Sequence, residues 1–244
     1  MSRAIPVFLF VGLWESTAAL GLLPREILPP AHGVVARALS LAMSGDLPPH
    51  LLGSAGRAAT GFVLATGVGV ILGALMSQSA VVDSLLSPLL AFSYPIPKPA
   101  FFPLFLIWFG LGSPTHVAVI VTGCIIPVII STYNGTKHVN RYLRWTARNL
   151  GMARWRILVR IVLPAALPEI SVGVRVALTL SLVMLVSSEM LAGQTGLGFL
   201  ASYLGEAGDY EGMFAVVLII GLIGFMADQA YLALTARALA PYRD

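Results

Sequence analysis

Residues 139–167 read VNRYLRWTARNLGMARWRILVRIVLPAAL. Arg141, Arg144, Arg148, Arg154, Arg156 and Arg160 recur through this stretch without an intervening Asp or Glu; Lys137 precedes it and Glu169 follows its far end. Leu143, Ala147 and Leu150 stand at i, i+4 and i+7, and Trp155, Leu158, Val159 and Val162 line a second face, leaving the arginines on the remaining surface of two short amphipathic helices. Gly151 separates the two at a point where the backbone bends cheaply, and Pro164 is expected to end the second. Such a loop has two physical uses. It lies on anionic head groups, worth about 1 kcal/mol per basic residue, or it offers a short helix as a knob to a partner protein.

Outward from this loop the chain is apolar. Of 244 residues, 57% are hydrophobic and 11% charged, with a mean hydropathy of +0.87. A soluble domain carries roughly 25% charged residues; this chain has too little polar surface to cover a water-facing globule, and lipid is its natural solvent. The pI near 9.5 does not point to nucleic acid, because the basic residues gather in one loop, which in a membrane protein is a topology signal. Strand alternation is absent, so the expected fold is an all-α integral membrane protein, a single transmembrane domain over 1–244. Six spans are expected at residues 5–23, 57–76, 85–111 (broken), 116–133, 172–191 and 213–234, with the basic loop between spans four and five. Met1 to Leu13 resembles a secretory signal, but Trp14 and Glu15 interrupt it and no small-residue cleavage site follows, so it is read as a retained helix.

Charge asymmetry orients the spans. The connection after span five holds Glu206, Asp209 and Glu211 and no Lys or Arg, so by the positive-inside rule it lies outside and the basic loop inside. Both termini then fall in the cytoplasm, in accord with Arg3, Arg237 and Arg243, whereas Arg25, Arg37 and Arg57 in the outer first connection run against the rule.

Within the spans, Gly61, Ala65, Gly69, Gly73 and Ser77 recur every fourth residue, a small-residue stripe that lets a neighbouring backbone approach, either inside the protein or between subunits. The third span carries Pro95, Pro97, Pro99 and Pro103 around Tyr94 and Lys98. Broken backbone at membrane depth survives only where protein or a water-filled cavity satisfies it, and a lysine at a helix centre costs about 2.5–3.5 kcal/mol. Tyr94, Pro97 and Lys98 therefore either line a translocation path or join two half-length helices at an outer interfacial loop, with Lys98 snorkelling to head groups. Glu189 is either path-lining or at the outer edge; Glu15 and Asp228 carry the same ambiguity. Cys124 is a buried thiol, and His32, His50, His116 and His138 lack ligand spacing, so neither a metal nor a catalytic constellation is expected.

Trp145-Thr146-Ala147-Arg148-Asn149-Leu150-Gly151, followed by Ile161-Val162-Leu163-Pro164, resembles the "EAA…G…I.LP" signature of ABC importer permeases, with Trp145 where the consensus has its acid and Thr146 where it has its first Ala. Tyr94 to Lys98 with Leu106 to Gly112, Ser188 to Gly193, Gly196 to Leu200 and Trp14-Glu15 resemble the nitrate/sulfonate/taurine branch. The resemblance implies a coupling helix around Arg144 to Gly151, with Trp145, Thr146, Ala147, Arg148, Leu150, Leu163 and Pro164 in the docking element. It further implies a homodimer of permeases in the bacterial inner membrane, two cytoplasmic ATPase subunits that carry ATP and Mg, and a periplasmic or lipid-anchored binding protein. The implied cargo is a small anion such as a sulfonate, taurine or nitrate, with a heterocyclic vitamin precursor as the alternative. No cofactor is expected on this chain, and no G-x-x-x-x-G-K-[ST] loop occurs in it; the glycine-rich run from Gly193 to Gly198 is read as a tight turn or outer gate. A partner-free secondary transporter would show a second broken span in the other half, which is not evident.

Overall fold

A computed structural model describes residues 5–240; Arg3 and Arg243, used above to orient the termini, lie outside the described residues. The described elements are helices and no strand occurs among them: α1 (Ile5–Ala19), α2 (Ala31–Ser44), α3 (Leu47–Gln78), α4 (Ala80–Ser93), a 3-10 turn (Lys98–Phe101), α5 (Phe102–Phe109), α6 (Ser113–His138), α7 (Arg141–Asn149), α8 (Arg154–Ile157), a π turn (Leu158–Val162), α9 (Leu163–Ala192), α10 (Leu197–Glu206) and α11 (Tyr210–Ala238). Among the described residues, four uninterrupted helical stretches are long and apolar enough to cross a bilayer: Leu47–Gln78, Ser113–His138, Arg154–Ala192 and Tyr210–Ala238. A fifth is possible if Ala80–Ser93 and Lys98–Phe109, bent by 97° at their break, count as one span. The first apolar segment is shorter than the expected 5–23. Helix α1 stops at Ala19, where Gly21 adopts φ +63° and the Leu22 amide reaches back to the Thr17 carbonyl.

The described residues fall into two compact units, Met1–Gly56 with Val186–Gly224 and Arg57–Leu185 with Phe225–Asp244. In the first, α2 and α10, unforeseen from hydropathy, supply much of the core: Val34 and Leu41 of α2 pack with Leu197, Leu200, Ala201 and Leu204 of α10 and Ala215 and Val216 of α11. Glu15 fastens the start of α2, accepting from the Ala31 amide at 2.8 Å and meeting His32 Nδ1 at 2.6 Å. The Trp14 indole donates to the Pro29 carbonyl at 2.9 Å. Arg37 bonds Asp209 at 2.8 Å, and the other Asp209 oxygen accepts from the Gly212 amide at the start of α11. Glu15 and Arg37 of α2 are thus local fasteners.

In the second unit α6 is the centre, with 56% of its apolar window buried. The small-residue stripe of α3 faces it within the chain. A Cβ on Gly61 would stand 2.5 Å from Ile120, on Gly69 2.8 Å from Val128, and on Gly73 2.5 Å from the Ile129 carbonyl, while Ala65 is fully buried. The opposite helix uses the same device: a Cβ on Gly173 of α9 would lie 2.5 Å from Ser131, and on Gly123 of α6 2.5 Å from Met184. In lipid, where apolar burial gives no net drive between helices, such close approach supplies the packing energy. Cys124 is fully buried and donates to the Ala177 carbonyl.

Candidate functional site

The basic loop is built from local rules. Asn140 accepts from the Tyr142 amide at 2.9 Å and caps the start of α7. At the other end Gly151 takes φ +75°, its amide bonds the Arg148 carbonyl at 2.9 Å, and the Met152 amide bonds the Ala147 carbonyl at 3.1 Å. These are the two bonds of a Schellman motif, which only a residue at ease with positive φ completes. Gly151 is thus a helix terminator rather than a bend within a helix. Met152 then packs with Ala147, Ile157 and Val162, the small core that folds the loop onto itself, together with Val139, Leu158 and Ile161.

The structure shows which side chains of the loop are exposed, and it corrects one expectation. Leu143 and Leu150 do not share the buried face with Ala147; they are 48% and 77% exposed, beside Trp145 at 49% and Trp155 at 62%. The loop buries its inner face on Ala147 and leaves a ridge of large apolar side chains outside. Pro164 does not end the second helix, which runs from Arg154 through to Ala192. The reason is the π turn before it: the Leu163 amide bonds Leu158, five residues back, and this widened turn accommodates the ring and the missing donor of Pro164. Leu163 and Pro164 open α9 and join the loop to a span as one rod.

Arg144 points back toward α6 and donates to the Thr136 carbonyl. Its Nε is buried without an acceptor. Burial, and then the positive charge of Arg148, hold its guanidinium below the usual arginine value. Thr146 and Arg148 are exposed.

The bend between α4 and α5 is held by a lysine. Lys98 Nζ donates to the carbonyls of Ser93 and of Ile96, the latter at 3.0 Å, which closes the open C-terminal end of α4. Tyr94 is 71% exposed at the bend, and Pro97 precedes the 3-10 turn in extended conformation. Beside them a largely apolar cavity of about 360 Å³ is lined by Leu89, Ser93, Lys98, Phe105, Trp108 and Ile126, among others.

Glu189 does not lie at an open edge. It is fully buried. Ser54 Oγ reaches its two oxygens at 2.9 and 2.8 Å, and the Gly198 amide donates to Oε2 at 3.0 Å. Gly196, at φ +121°, and Gly198 leave no room for a Cβ against this carboxylate. The glycine-rich run is therefore the tight start of α10, closed over an anion as helix N-termini are. His50 completes the cluster, its Nδ1 3.0 Å from the Gly196 amide. Sequence reasoning set His50 aside and did not consider Ser54; both lie on α3 four residues apart, a spacing that could have paired them.

Two further links went unforeseen as pairs. Arg175 of α9 and Asp228 of α11 form a two-pronged ion pair, both contacts at 2.8 Å. Tyr133 of α6 donates to Asp83 of α4 at 2.8 Å and accepts from Lys137 at 2.6 Å. That link ties the start of α4 to the C-terminal end of α6, while Arg57 Nε meets Ser113 at its other end, 3.1 Å away. Among the described residues no cluster of His, Cys, Asp and Glu could hold a metal ion.

Residues 65–239 match the family described as binding-protein-dependent transport system inner membrane component. The chain is 31% identical over 234 residues to an aliphatic sulfonates transport permease protein, SsuC, of Bacillus subtilis strain 168, covering 96% of this chain and 84% of that one. It is 32% identical to the taurine transport system permease protein TauC of Escherichia coli K12, covering 94% and 85%. It is 29% identical to the formylaminopyrimidine transport permease protein ThiX of Halalkalibacterium halodurans, covering 95% and 91%. In fold it resembles a chain of the MetNI methionine ABC transporter in an inward-facing conformation, with TM-score 0.66 at 16% identity over 77% of this chain and 93% of that one. The exposed ridge on a basic, self-folded loop, the small-residue helix packing and these relationships converge: the chain belongs to the family of binding-protein-dependent inner membrane transport components and is a permease subunit of an ABC importer.

Proposed function

We propose that this permease carries a small sulfonate anion across the cytoplasmic membrane, and that a separate ATPase drives it through the loop of α7 and α8. One observation carries the coupling reading. Trp145, Leu150 and Trp155 stand exposed on a loop whose first helix, α7, is capped at both ends and whose inner face is packed on Ala147, Ile157 and Val162. A lipid-lying helix needs no such internal core, whereas a rigid knob that receives force does, and the continuous rod from Arg154 into α9 gives that force a route into the membrane. Arg144, Trp145, Thr146, Ala147, Arg148, Leu150 and Gly151 form the docking element, and Leu163 and Pro164 its junction with α9. Hydrolysis of ATP, with Mg, belongs to the partner chain.

The membrane arrangement follows. Six spans, counting α1 as the first and the bent pair as the third, place the basic loop and both termini in the cytoplasm. Two permeases pair around a central path, two ATPases sit below, and a periplasmic or lipid-anchored binding protein delivers the cargo. Tyr94, Pro97 and Lys98, beside the aromatic cavity, are the candidate path residues on this chain; Glu189, enclosed by Ser54 and Gly198, shapes the path by positioning α10. The names of the sulfonate and taurine relatives support the cargo class. The formylaminopyrimidine relative supports a second reading, an uncharged heterocycle in an aromatic path. Uptake into proteoliposomes holding the permease, its ATPase and its binding protein decides between them. ATP-dependent entry of taurine or an alkanesulfonate supports the first reading; entry of the pyrimidine alone replaces it.

A further inference from the structure

Gln78, the last residue of α3, shares a cavity of about 180 Å³ with Arg144 and Arg148 of α7, Arg154, Trp155 and Ile157 of α8, and Leu158. Three guanidinium groups line it and no carboxylate does. None of the three is paired with an acid among the described residues, and Arg144 Nε is a buried donor without an acceptor. Like charges gathered around a half-enclosed space are unfavourable until an anion enters, and a planar guanidinium fork fits the oxygens of a phosphate. The level of the cavity selects the source. α3 is long enough to cross a bilayer with turns to spare, so its last residue lies at or beyond the membrane surface on the side of the basic loop. Arg144 reaches from the cavity toward Thr136 near the end of α6, itself a span. Basic pockets at the cytoplasmic ends of spanning helices suit acidic lipid head groups.

We infer that this cavity is a binding site for the phosphate of an acidic phospholipid of the inner leaflet, held by Arg144, Arg148 and Arg154 beside Gln78. A lipid so placed would brace the root of the coupling loop against the membrane; of the docking element it would engage Arg144 and Arg148, and it would leave the ridge of Trp145 and Leu150 to the ATPase. The inference rests on the cytoplasmic placement of the loop and on no property of the ATPase.

The test uses the full-length permease, reconstituted in mixed phosphatidylglycerol and phosphatidylcholine vesicles, re-extracted mildly and weighed by native mass spectrometry. Wild type is expected to retain phosphatidylglycerol in preference to phosphatidylcholine. Arg154→Gln should lower that retention at least fivefold, while Arg160→Gln, the same charge change on an exposed arginine outside the cavity, leaves it unchanged. Arg154→Lys, which keeps the charge and the fold, should restore part of it. Equal loss in Arg154→Gln and Arg160→Gln would overturn the site in favour of diffuse surface charge, and no preference between the two lipids would overturn it outright. Release of the lipid by millimolar inorganic phosphate would assign the cavity to the free ion instead. Retention by the bare permease but complete loss on ATPase docking would assign the arginines to partner carboxylates and overturn the lipid.

Discussion

Ser54 Oγ sits 2.9 and 2.8 Å from the two carboxylate oxygens of Glu189, with the serine 2% exposed and the glutamate fully buried. The same hydroxyl accepts from the Leu197 amide at 2.8 Å, so one serine joins α3, the end of α9 and the start of α10. Removing it leaves a buried carboxylate and a buried amide short of a partner. Ser54→Ala is therefore expected to cost about 1–3 kcal/mol, read as a lowered midpoint in thermal unfolding in detergent. Gly196→Ala, which brings a Cβ into the Glu189 carboxylate at a positive φ, should be worse; an unchanged midpoint in both variants would remove the cluster from the account.

The α3 stripe makes a prediction of opposite signs on one helix. Gly69 faces Val128 at 2.8 Å from a would-be Cβ, while Gly67, two residues earlier, has nothing within 4 Å. Gly69→Ala should destabilise by about 1–3 kcal/mol through overpacking, whereas Gly67→Ala should be neutral or stabilise by about 0.5–1 kcal/mol. Paired thermal or denaturant unfolding of the two variants checks the order.

Arg175 and Asp228 form a two-pronged contact between α9 and α11. Each single change, Arg175→Leu or Asp228→Leu, strands one charge beside a span, so both should reduce folded yield and uptake several-fold. The double change should recover much of the loss, because removing both partners costs less than orphaning one. Strictly additive losses in a double-mutant cycle would show the pair to be incidental.

Lys98 closes the end of α4 through the Ser93 and Ile96 carbonyls and also borders the aromatic cavity. If the lysine serves the path, Lys98→Ala should cut sulfonate uptake about tenfold while the ATPase still co-purifies at wild-type ratio. The order of magnitude is that of losing one charge-assisted contact. Unchanged uptake by an assembled variant would leave Lys98 a helix cap alone.

Hydropathy and charge were enough to read an all-helical membrane protein from this sequence, because lipid allows few other solutions and a run such as residues 116–133 has no competing interpretation. The small-residue stripe was equally legible, but not its partner: four-residue spacing names a face, and only the fold shows Ile120, Val128 and Thr132 opposite it. Helices α2 and α10 were missed because they are short and amphipathic, so their apolar content never reaches the threshold of a span. Pro164 misled because a proline normally stops a helix, and the π turn that absorbs it leaves no signature in residue types. The partner of Glu189 was hidden for a different reason. A carboxylate in an apolar run suggests a path, yet Ser54 lies 135 residues away in sequence and its bond could not be read from local pattern.

The central claim is that the loop of α7 and α8 is the handle by which an ATPase moves this permease. The most direct measurement is a pull-down of the tagged chain in mild detergent, comparing wild type with Trp145→Ala and Gly151→Val. Trp145 is half exposed, so its loss spares the loop's own core, and valine at φ +75° breaks the cap of α7 at a cost of about 1–2 kcal/mol. The account predicts an ATPase subunit at one per permease with wild type, at least tenfold less with either variant, and a parallel loss of ATP-driven uptake. A wild-type chain that purifies without any ATPase and transports in liposomes without ATP would contradict it.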